Sequence, residues 1–317
     1  MRYGEIAGVT PAPSRIVLGA GSFDEERRAD AWRLLDHYLT LGGSVVDTAA
    51  VYGNGASERV LGEWLARSGS RDDVVILTKG GHPSLPDWTD RLTPEEVGQD
   101  LDASLARLKV DRIDLYMLHR DDERIPVDEL VDLLARCVES GKVKAVAVSN
   151  WTWPRVEDAN LYAARRGAPS LAVNSVHYSL AVPHASVAPG TVSLCGDDAA
   201  LAWYRRSGVP VLAWSSQAKG FFSGRFAPTV HDDPHVEKVY YHQDNWRRLE
   251  RATRLAARLG CTPSQVALAW LLEQPVQVFA AVGTTKLEHL DECLGALDVQ
   301  LTSSEIEWLN LERDEPN

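Results

Sequence analysis

Four residues of complementary acid–base type stand where predicted strands end. Asp47, Lys79 and His119 each close or follow a short apolar run, and Tyr52 lies in the loop that begins after Asp47. In a barrel of parallel strands the reactive groups come from the carboxyl ends of several strands. An acid, a phenol, an ammonium and an imidazole are therefore expected to meet on one rim.

Each of these residues has a simpler interpretation when it is taken alone. Asp47 could cap a helix, Tyr52 could pack within its loop, and His119 could be a core histidine with satisfied hydrogen bonds. Lys79 is different, because a lysine that closes an apolar strand needs a buried counter-charge. Asp47 can supply that charge, so the group as a whole indicates a functional site.

Short apolar runs alternate with longer amphipathic segments along the whole chain. Nearly continuous apolar runs are typical of strands in a parallel sheet that is buried on both faces. The predicted strands span residues 16–19, 44–47, 74–78, 113–118, 143–149, 171–175, 209–214 and 276–282. The predicted helices span residues 24–41, 57–68, 94–108, 128–140, 154–166, 197–207, 244–259 and 302–312, and another begins at Thr262.

This alternation predicts an α/β fold, a (β/α)8 TIM barrel with long loops on the cofactor and substrate side. The competing doubly wound fold requires Gly-x-Gly-x-x-Gly after an early strand, but Gly19 and Gly21 are followed by Asp24. Residues 179–196 and 221–243 are rich in proline and small residues, and we predict both to be loops. Barrels of this length are routinely single domains, so we expect one domain over residues 1–317.

The composition excludes several classes of protein. The chain has 317 residues and a formal net charge of −12, without a basic patch, which disfavours nucleic-acid binding. The four cysteines lack the paired spacing of a zinc site or a redox dithiol. Scattered thiols, an N-terminus without an apolar core and the lack of a membrane-length apolar run favour a cytoplasmic protein.

Several segments resemble the signatures of the aldo-keto reductases. The resemblance extends from residue 16 to residue 297 and includes the four acid–base residues in the family's order. The matching segments are residues 42–53, 57–62, 78–79, 114–119 and 146–150. The chain therefore resembles an NADP-dependent oxidoreductase of bacterial type.

The resemblance implies a catalytic tetrad of Asp47, Tyr52, Lys79 and His119. Tyr52 is then the proton donor in carbonyl reduction, although an unperturbed phenol with a pKa near 10 is a weak acid. We expect Lys79 to lower the pKa of Tyr52, and Asp47 to hold Lys79 protonated. His119 is expected to donate a hydrogen bond to the substrate oxygen.

The resemblance also implies the residues that bind the cofactor. Ser149 and Asn150 match the pair that holds the nicotinamide carboxamide, Asn174 stands where the family has glutamine, and Trp214 matches the aromatic residue that stacks on the ring. The residues expected at the pyrophosphate are Ser215, Gly220, Ser223, Gly224 and Arg225. Those expected at the adenosine ribose phosphate are Gly283, Thr284, Lys286, His289 and Glu292.

Thr284 and Lys286 favour NADP(H), because a hydroxyl and a cation suit an anionic group at a helix N-terminus. His289 and Cys293 depart from the family's usual residues at their positions, so NAD(H) stays open as the alternative.

The substrate pocket is expected above the tetrad, with Phe23, Trp88, Arg120 and Trp151 in its wall. Aromatic residues are common in pocket walls, but exposed tryptophans also pack on barrel rims. Arg120 beside His119 makes the pocket unusually polar, and this favours a sugar-like or otherwise polar carbonyl substrate.

We therefore expect reversible, NADPH-dependent reduction of an aldehyde or ketone by a monomer or small homo-oligomer. Two alternatives belong to other classes of protein. One is a non-catalytic NADP(H)-binding regulatory module of the same fold, which would have no need of Tyr52 and Lys79. The other is a metal-dependent barrel enzyme using Asp47 and His119, but the sequence lacks an accompanying metal-ligand set.

Overall fold

The computed structural model describes residues 1–316, and it contains a closed barrel of eight parallel strands. The strands are β1 (Ile16–Gly19), β2 (Val45–Asp47), β3 (Val75–Gly80), β4 (Ile113–Leu118), β5 (Val143–Ser149), β6 (Asn174–His177), β7 (Val211–Trp214) and β8 (Val278–Gly283). They pair in sequence order, and β8 closes the barrel by pairing with β1. The predicted (β/α)8 barrel is confirmed.

Helices follow the strands and surround the barrel. They are α1 (Arg28–Thr40), α2 (Ala56–Ser68), α3 (Pro94–Leu108), α4 (Val127–Glu139), α5 (Trp153–Arg166), α6 (Asp198–Ser207), α7 (Pro234–Tyr240), α8 (Gln243–Leu259), α9 (Pro263–Leu272), α10 (Leu287–Gly295) and α11 (Ser303–Leu309). No helix within residues 1–316 is both long enough and apolar enough to cross a membrane.

The interior of the barrel determines which strand residues can reach the site. Successive side chains of a strand point to opposite faces, so inward positions recur every second residue. On β3, Val75 and Leu77 pack in the barrel interior, whereas Ile76 packs outward against the helices. The next inward position is Lys79, so a buried lysine follows directly from the pairing of the strand.

The same alternation applies around the barrel. Inward Val45 precedes Asp47 on β2, and inward Met117 precedes His119 at the end of β4. The other end of the barrel interior is filled by Ile6 from the N-terminal segment. One end is thus packed with apolar side chains while the carboxyl end carries the polar ones.

Local signals explain where the helices begin. Thr93 caps α3 through a reciprocal capping box with Glu96, with Pro94 at the first helical position. Thr262 and Thr302 cap α9 and α11 in the same way.

The prediction that residues 221–243 are a loop is wrong for part of the segment, which contains α7. The carboxylate of Asp233 accepts hydrogen bonds from the backbone N–H groups of His235 and Val236, and Pro234 occupies the first turn. These N-terminal contacts stabilise a helix of only 7 residues. Residues 179–196 contain no helix.

Candidate active site

A cavity of about 880 Å³ opens at the carboxyl ends of the strands. Its wall includes Asp47, Tyr52, Lys79 and His119, so the structure brings all four predicted acid–base residues together. The further predicted residues in its wall are Arg120, Ser149, Asn150, Trp214, Ser215, Gly220, Ser223, Arg225, Gly283, Thr284, His289 and Glu292.

Lys79 is the centre of the hydrogen-bond network at the base of the cavity. Its Nζ lies 2.5 Å from Asp47 Oδ1, 2.9 Å from the carbonyl oxygen of Thr48 and 3.2 Å from Tyr52 Oη. An ammonium group has three N–H donors, and each of these contacts uses one of them. Lys79 is only 3% exposed, so its position is fixed entirely by protein contacts.

The loop after β2 brings Tyr52 to Lys79. The N–H of Ala50 donates to the carbonyl of Lys79, so the chain stays against β3 beyond the end of β2. The turn that follows places Gly53 and Asn54 at φ values of 56° and 52°. Glycine and asparagine tolerate this left-handed backbone better than most residues, which lets the chain reverse directly after Tyr52.

The pKa of Tyr52 moves in the direction opposite to the one expected. Burial raises the pKa of the phenol, because it disfavours the phenolate, and the attraction of Lys79 only partly opposes this. Burial alone would lower the pKa of Lys79, but Asp47 and Tyr52 outweigh it and raise the pKa overall. The lysine is therefore held as an ammonium, and Tyr52 is held as a protonated phenol.

His119 is held as a neutral imidazole. Burial lowers its pKa well below the usual value, and the positive charges of Lys79 and Arg120 lower it further. Its ring meets the Tyr52 ring edge to face, with centroids 5.7 Å apart, and its Nδ1 is buried without a hydrogen-bond partner.

His82 is a cavity residue that the sequence reasoning missed. Its ring lies 4.8 Å from the ring of His119, and its Nδ1 lies 2.8 Å from the carbonyl oxygen of Pro83. A strand-end pattern could not find it, because His82 lies beyond the end of β3 in an irregular segment.

Ser149, Asn150 and Trp214 form one side of the cavity. The Asn150 amide donates to Ser149 Oγ at 2.9 Å and accepts from Trp214 Nε1 at 3.1 Å. Asn150 has a φ of 62°, an uncommon value for a residue other than glycine. These contacts hold Ser149 and Asn150, which are expected to bind the nicotinamide carboxamide. They also hold these two residues beside the Trp214 indole, which is expected to stack on the nicotinamide ring.

The structure does not bring Asn174 to the cavity. Inward Val173 precedes it, so Asn174 points outward, where its Nδ2 donates to the hydroxyl of Tyr204 at 2.7 Å. The next inward position is Ser175, which does line the cavity. The polar residue available there is thus the serine that follows the predicted asparagine.

The segment from Ser215 to Arg225 follows a series of tight turns along the cavity wall. Five of its residues have a positive φ, namely Ser215, Ala218, Lys219, Gly220 and Gly224. The N–H groups of Ala218, Gly220 and Ser223 donate to carbonyl oxygens within the segment, so backbone hydrogen bonds close its tight turns. Lys219 and Arg225 add positive charge to the cavity wall, whereas Gly224 itself lies outside the wall.

The segment from Gly283 to Cys293 forms the far end of the cavity. Thr284 Oγ1 accepts a hydrogen bond from the N–H of Lys286 at 3.0 Å, just before α10 begins. An added Cβ at Gly283 would meet nothing within 4 Å, so the backbone here faces open space. Thr284, His289 and Glu292 line the cavity, but the side chain of Lys286 does not.

Three of the four residues predicted for the substrate pocket lie outside the cavity wall. Phe23 is buried and lines a small neighbouring cleft beside Thr285. Trp151 is fully buried beneath the guanidinium of Arg155. Trp88 is partly exposed and packs on His82, with ring centroids 5.6 Å apart. Only Arg120 reaches the cavity.

Comparison with known proteins gives a match across nearly the whole chain. Residues 15–310 match the model of the Aldo/keto reductase family. This range includes all eight strands and every residue that lines the cavity.

Three individual relatives are similar at low identity but over long alignments. The chain is 28% identical to Aldo-keto reductase yakc [NADP(+)] of Schizosaccharomyces pombe over 86% of this chain and 79% of the relative. It is 28% identical to Uncharacterized oxidoreductase YrpG of Bacillus subtilis, over 94% and 91% of the two chains. It is 30% identical to Probable aldo-keto reductase 1 of Glycine max, over 89% and 79%.

Proposed function

This chain belongs to the aldo/keto reductase family of oxidoreductases, and we propose that it reduces an aldehyde or ketone to the alcohol with NADPH. The observation that carries the proposal is the contact of a single buried ammonium, that of Lys79, with both Asp47 and Tyr52. The network opens into a cavity large enough for a nucleotide and a small substrate.

Tyr52 is the proton donor in this proposal. Its oxygen accepts a hydrogen bond from Lys79, so its own O–H is free to donate toward the cavity. Because burial keeps the phenol protonated, the donor is ready at neutral pH. The ammonium of Lys79 stabilises the phenolate that proton donation leaves behind, which offsets the cost of burying that charge.

His119 orients the carbonyl oxygen. A neutral imidazole carries one N–H donor, and a hydrogen on Nε2 leaves the buried Nδ1 as a lone pair. The Nε2–H then donates to the substrate oxygen without placing a second cation beside Lys79. Together with the Tyr52 hydroxyl, this directs two donors at the atom where negative charge develops.

The cavity is proposed to hold a nicotinamide dinucleotide, and the residues in its wall support this. When bound, that cofactor supplies the hydride that the protein's own side chains lack. Ser149, Asn150 and Ser175 would hold the carboxamide, and the backbone between Ser215 and Arg225 would hold the pyrophosphate. Reversal of the reaction needs the Tyr52 phenolate as a proton acceptor, so oxidation of an alcohol is expected to require a higher pH.

NADPH is proposed over NADH on two grounds. Thr284 and the N-terminus of α10 lie at the far end of the cavity, where a ribose phosphate would sit, and such positions favour anions. The fission-yeast relative is named for NADP(+). A Kd for NADPH at least about tenfold below that for NADH supports this preference, and equal affinities would remove it.

A polar carbonyl, such as a sugar derivative, is the proposed substrate class. The polar side chains near the tetrad that the cofactor would leave free include those of His82 and Arg120. Rates with keto-sugars and aldoses should therefore exceed those with plain aromatic aldehydes. A clear preference for the aromatic aldehydes would reject this substrate class.

The test of the function itself uses the purified protein and NADPH. Cofactor fluorescence should change on mixing, and the NADPH absorbance should then fall when a panel of aldehydes and ketones is added. Binding without turnover of any carbonyl would favour a nucleotide-sensing module. Activity that is lost on treatment with a chelator would instead require a metal enzyme.

A further inference from the structure

Among residues 1–316, Arg120 is the one cation at the catalytic end of the cavity that the proposed mechanism does not use. It follows His119, and its Nη1 donates to the carbonyl oxygen of His119 at 2.8 Å. This hydrogen bond holds the guanidinium group next to the acid–base residues. The electrostatic influence of Arg120 extends to Tyr52, His82 and His119.

The neighbouring carboxylates are already paired with other cations. Asp121 lies 2.6 Å from Arg155, Asp122 is bonded to Arg124, and Asp47 is bonded to Lys79. Over residues 1–316, no carboxylate oxygen lies within 4.0 Å of the Arg120 guanidinium. Its Nε is also buried without a hydrogen-bond partner.

The loop opposite Arg120 lies against the arginine side chain and carries small residues. Gly190 has a φ of 62°, and a Cβ added there would lie 3.5 Å from Arg120 Cδ. Ala188 and Thr191 of the same loop line the cavity with small side chains. The N–H of Val192 is bonded to Asn150 Oδ1, so the loop is tied to the wall of the site.

A partly buried guanidinium without a counter-charge is costly to bury, and its remaining N–H groups match the geometry of a carboxylate or phosphate. On this basis, which rests on the proposed carbonyl reduction, we infer that Arg120 binds an anionic group of the substrate. The substrate is then an aldehyde or ketone that carries a carboxylate or phosphate. Arg120 acts as the residue that determines specificity, while Tyr52 and His119 act on the carbonyl oxygen.

The experiment compares anionic and neutral substrates of equal length. Oxocarboxylates with a terminal aldehyde, from two to six carbons, are measured against the n-alkanals, and glyceraldehyde 3-phosphate is measured against glyceraldehyde. For at least one of these pairs, kcat/KM for the anionic substrate should exceed kcat/KM for the neutral one by at least about tenfold. A charge-assisted hydrogen bond to Arg120 is strong enough to produce this difference. The pair with the larger ratio identifies carboxylate or phosphate as the group bound.

Variants of Arg120 locate the effect. Arg120→Met should lower the ratio of kcat/KM for the preferred anion to that for its neutral partner by about 10- to 100-fold, mainly through the KM of the anion. Arg120→Lys should keep part of the preference, because it retains charge but loses the planar fork. The matched control is Arg124→Gln, which removes an exposed cation outside the cavity and should leave the anion-to-neutral ratio unchanged.

A measurement without variants covers the case in which Arg120→Met does not fold. The unreactive n-alkanoates should inhibit the wild-type enzyme at least about tenfold more strongly than the n-alkanols of equal length. Equal inhibition, together with no anion preference in any substrate pair, would overturn the inference.

The results also distinguish a role of Arg120 in substrate binding from a role in cofactor binding, and from failure of the proposed function. If Arg120→Met weakens NADPH binding while the substrate ratio stays unchanged, Arg120 binds the cofactor and the inference is wrong. If neutral alkanals are reduced but charge has no effect, only the role of Arg120 fails. If no carbonyl of any kind is reduced, the proposed function fails with it.

Discussion

Two buried ion pairs lie in the same barrel, and they differ in what is left unpaired around them. Toward the amino end of β4, Asp114 is fully buried and lies 2.9 Å from Arg71 and 2.6 Å from Lys144. It also accepts the N–H of Ile76 at 2.9 Å. At the carboxyl end, Asp47 and Lys79 form a pair in which the side chains of both partners are buried.

The contrast shows that burial of charge does not by itself mark an active site. Asp114 is surrounded by protein partners and is not part of the wall of the catalytic cavity, so we expect its charge to stabilise the fold. At the other end, Lys79 donates a hydrogen bond to Tyr52, and Tyr52 lines the cavity of about 880 Å³. A polar group that the fold leaves free to meet a ligand is the better indicator of function.

The largest expected effect comes from removing the proton donor at the carboxyl end. Tyr52→Phe keeps the ring but deletes the hydroxyl, and kcat for carbonyl reduction should fall by about 100- to 10,000-fold, as for loss of a general acid. The Kd for NADPH, followed by fluorescence, should stay within about twofold. Undiminished turnover in this variant would reject Tyr52 as the acid.

The amino-end pair should respond in stability and not in rate. Asp114→Asn leaves Arg71 and Lys144 without their counter-charge, and the free energy of unfolding should fall by about 3 kcal/mol. This is the lower end for a broken buried pair, because both cations are partly exposed and can be solvated. Urea unfolding measures the loss, and an unchanged kcat at a temperature where the variant is folded completes the contrast. A drop in kcat comparable with that of Tyr52→Phe would erase the distinction between the two ends.

A smaller effect should appear as acid sensitivity of the carboxyl end. Burial lowers the pKa of His177 to about 4 and that of His119 well below its usual value. Below about pH 6.5, histidines in the unfolded state bind protons that the folded state excludes. The free energy of unfolding is therefore greatest above that pH and falls as the pH decreases. Each histidine should contribute up to about 1.4 kcal/mol per pH unit.

Urea unfolding between about pH 7.5 and pH 5 checks this slope. The matched variant is His177→Gln, which retains a side chain able to bond Ser193 and Tyr240 but cannot titrate. The free energy of unfolding of this variant should depend less steeply on pH than that of the wild type, by the contribution of one histidine. Equal slopes would assign the acid sensitivity to other groups.

Much of the barrel could be predicted from the sequence because each element carries its own local signal. The predicted bounds of β4 and β5 agree with the structure, since both are long apolar runs. Strand ends predict that Asp47, Lys79 and His119 lie close together, because parallel topology brings the strand ends to one rim. Capping signals such as Thr93-Pro94 likewise located the helix starts.

One difference arises because strands that are buried on both faces lose their visible alternation. Without that alternation, Asn174 and Ser175 cannot be assigned to the inner or outer face until inward Val173 is known. Trp151 and Phe23 are aromatic residues near the rim, and only packing decides that both are buried away from the cavity. The net direction of the Tyr52 pKa likewise depends on the degree of burial, which strand-end patterns do not report.

The central claim is that Lys79 acts through Tyr52, and a double-mutant cycle on kcat tests it most directly. Lys79→Met alone should reduce kcat and raise the pH at which reduction fails, since loss of the ammonium raises the pKa of Tyr52 further. In the Tyr52→Phe background the same substitution should cost less than about twofold, because its target is absent. Losses that multiply independently in the double variant would contradict the account.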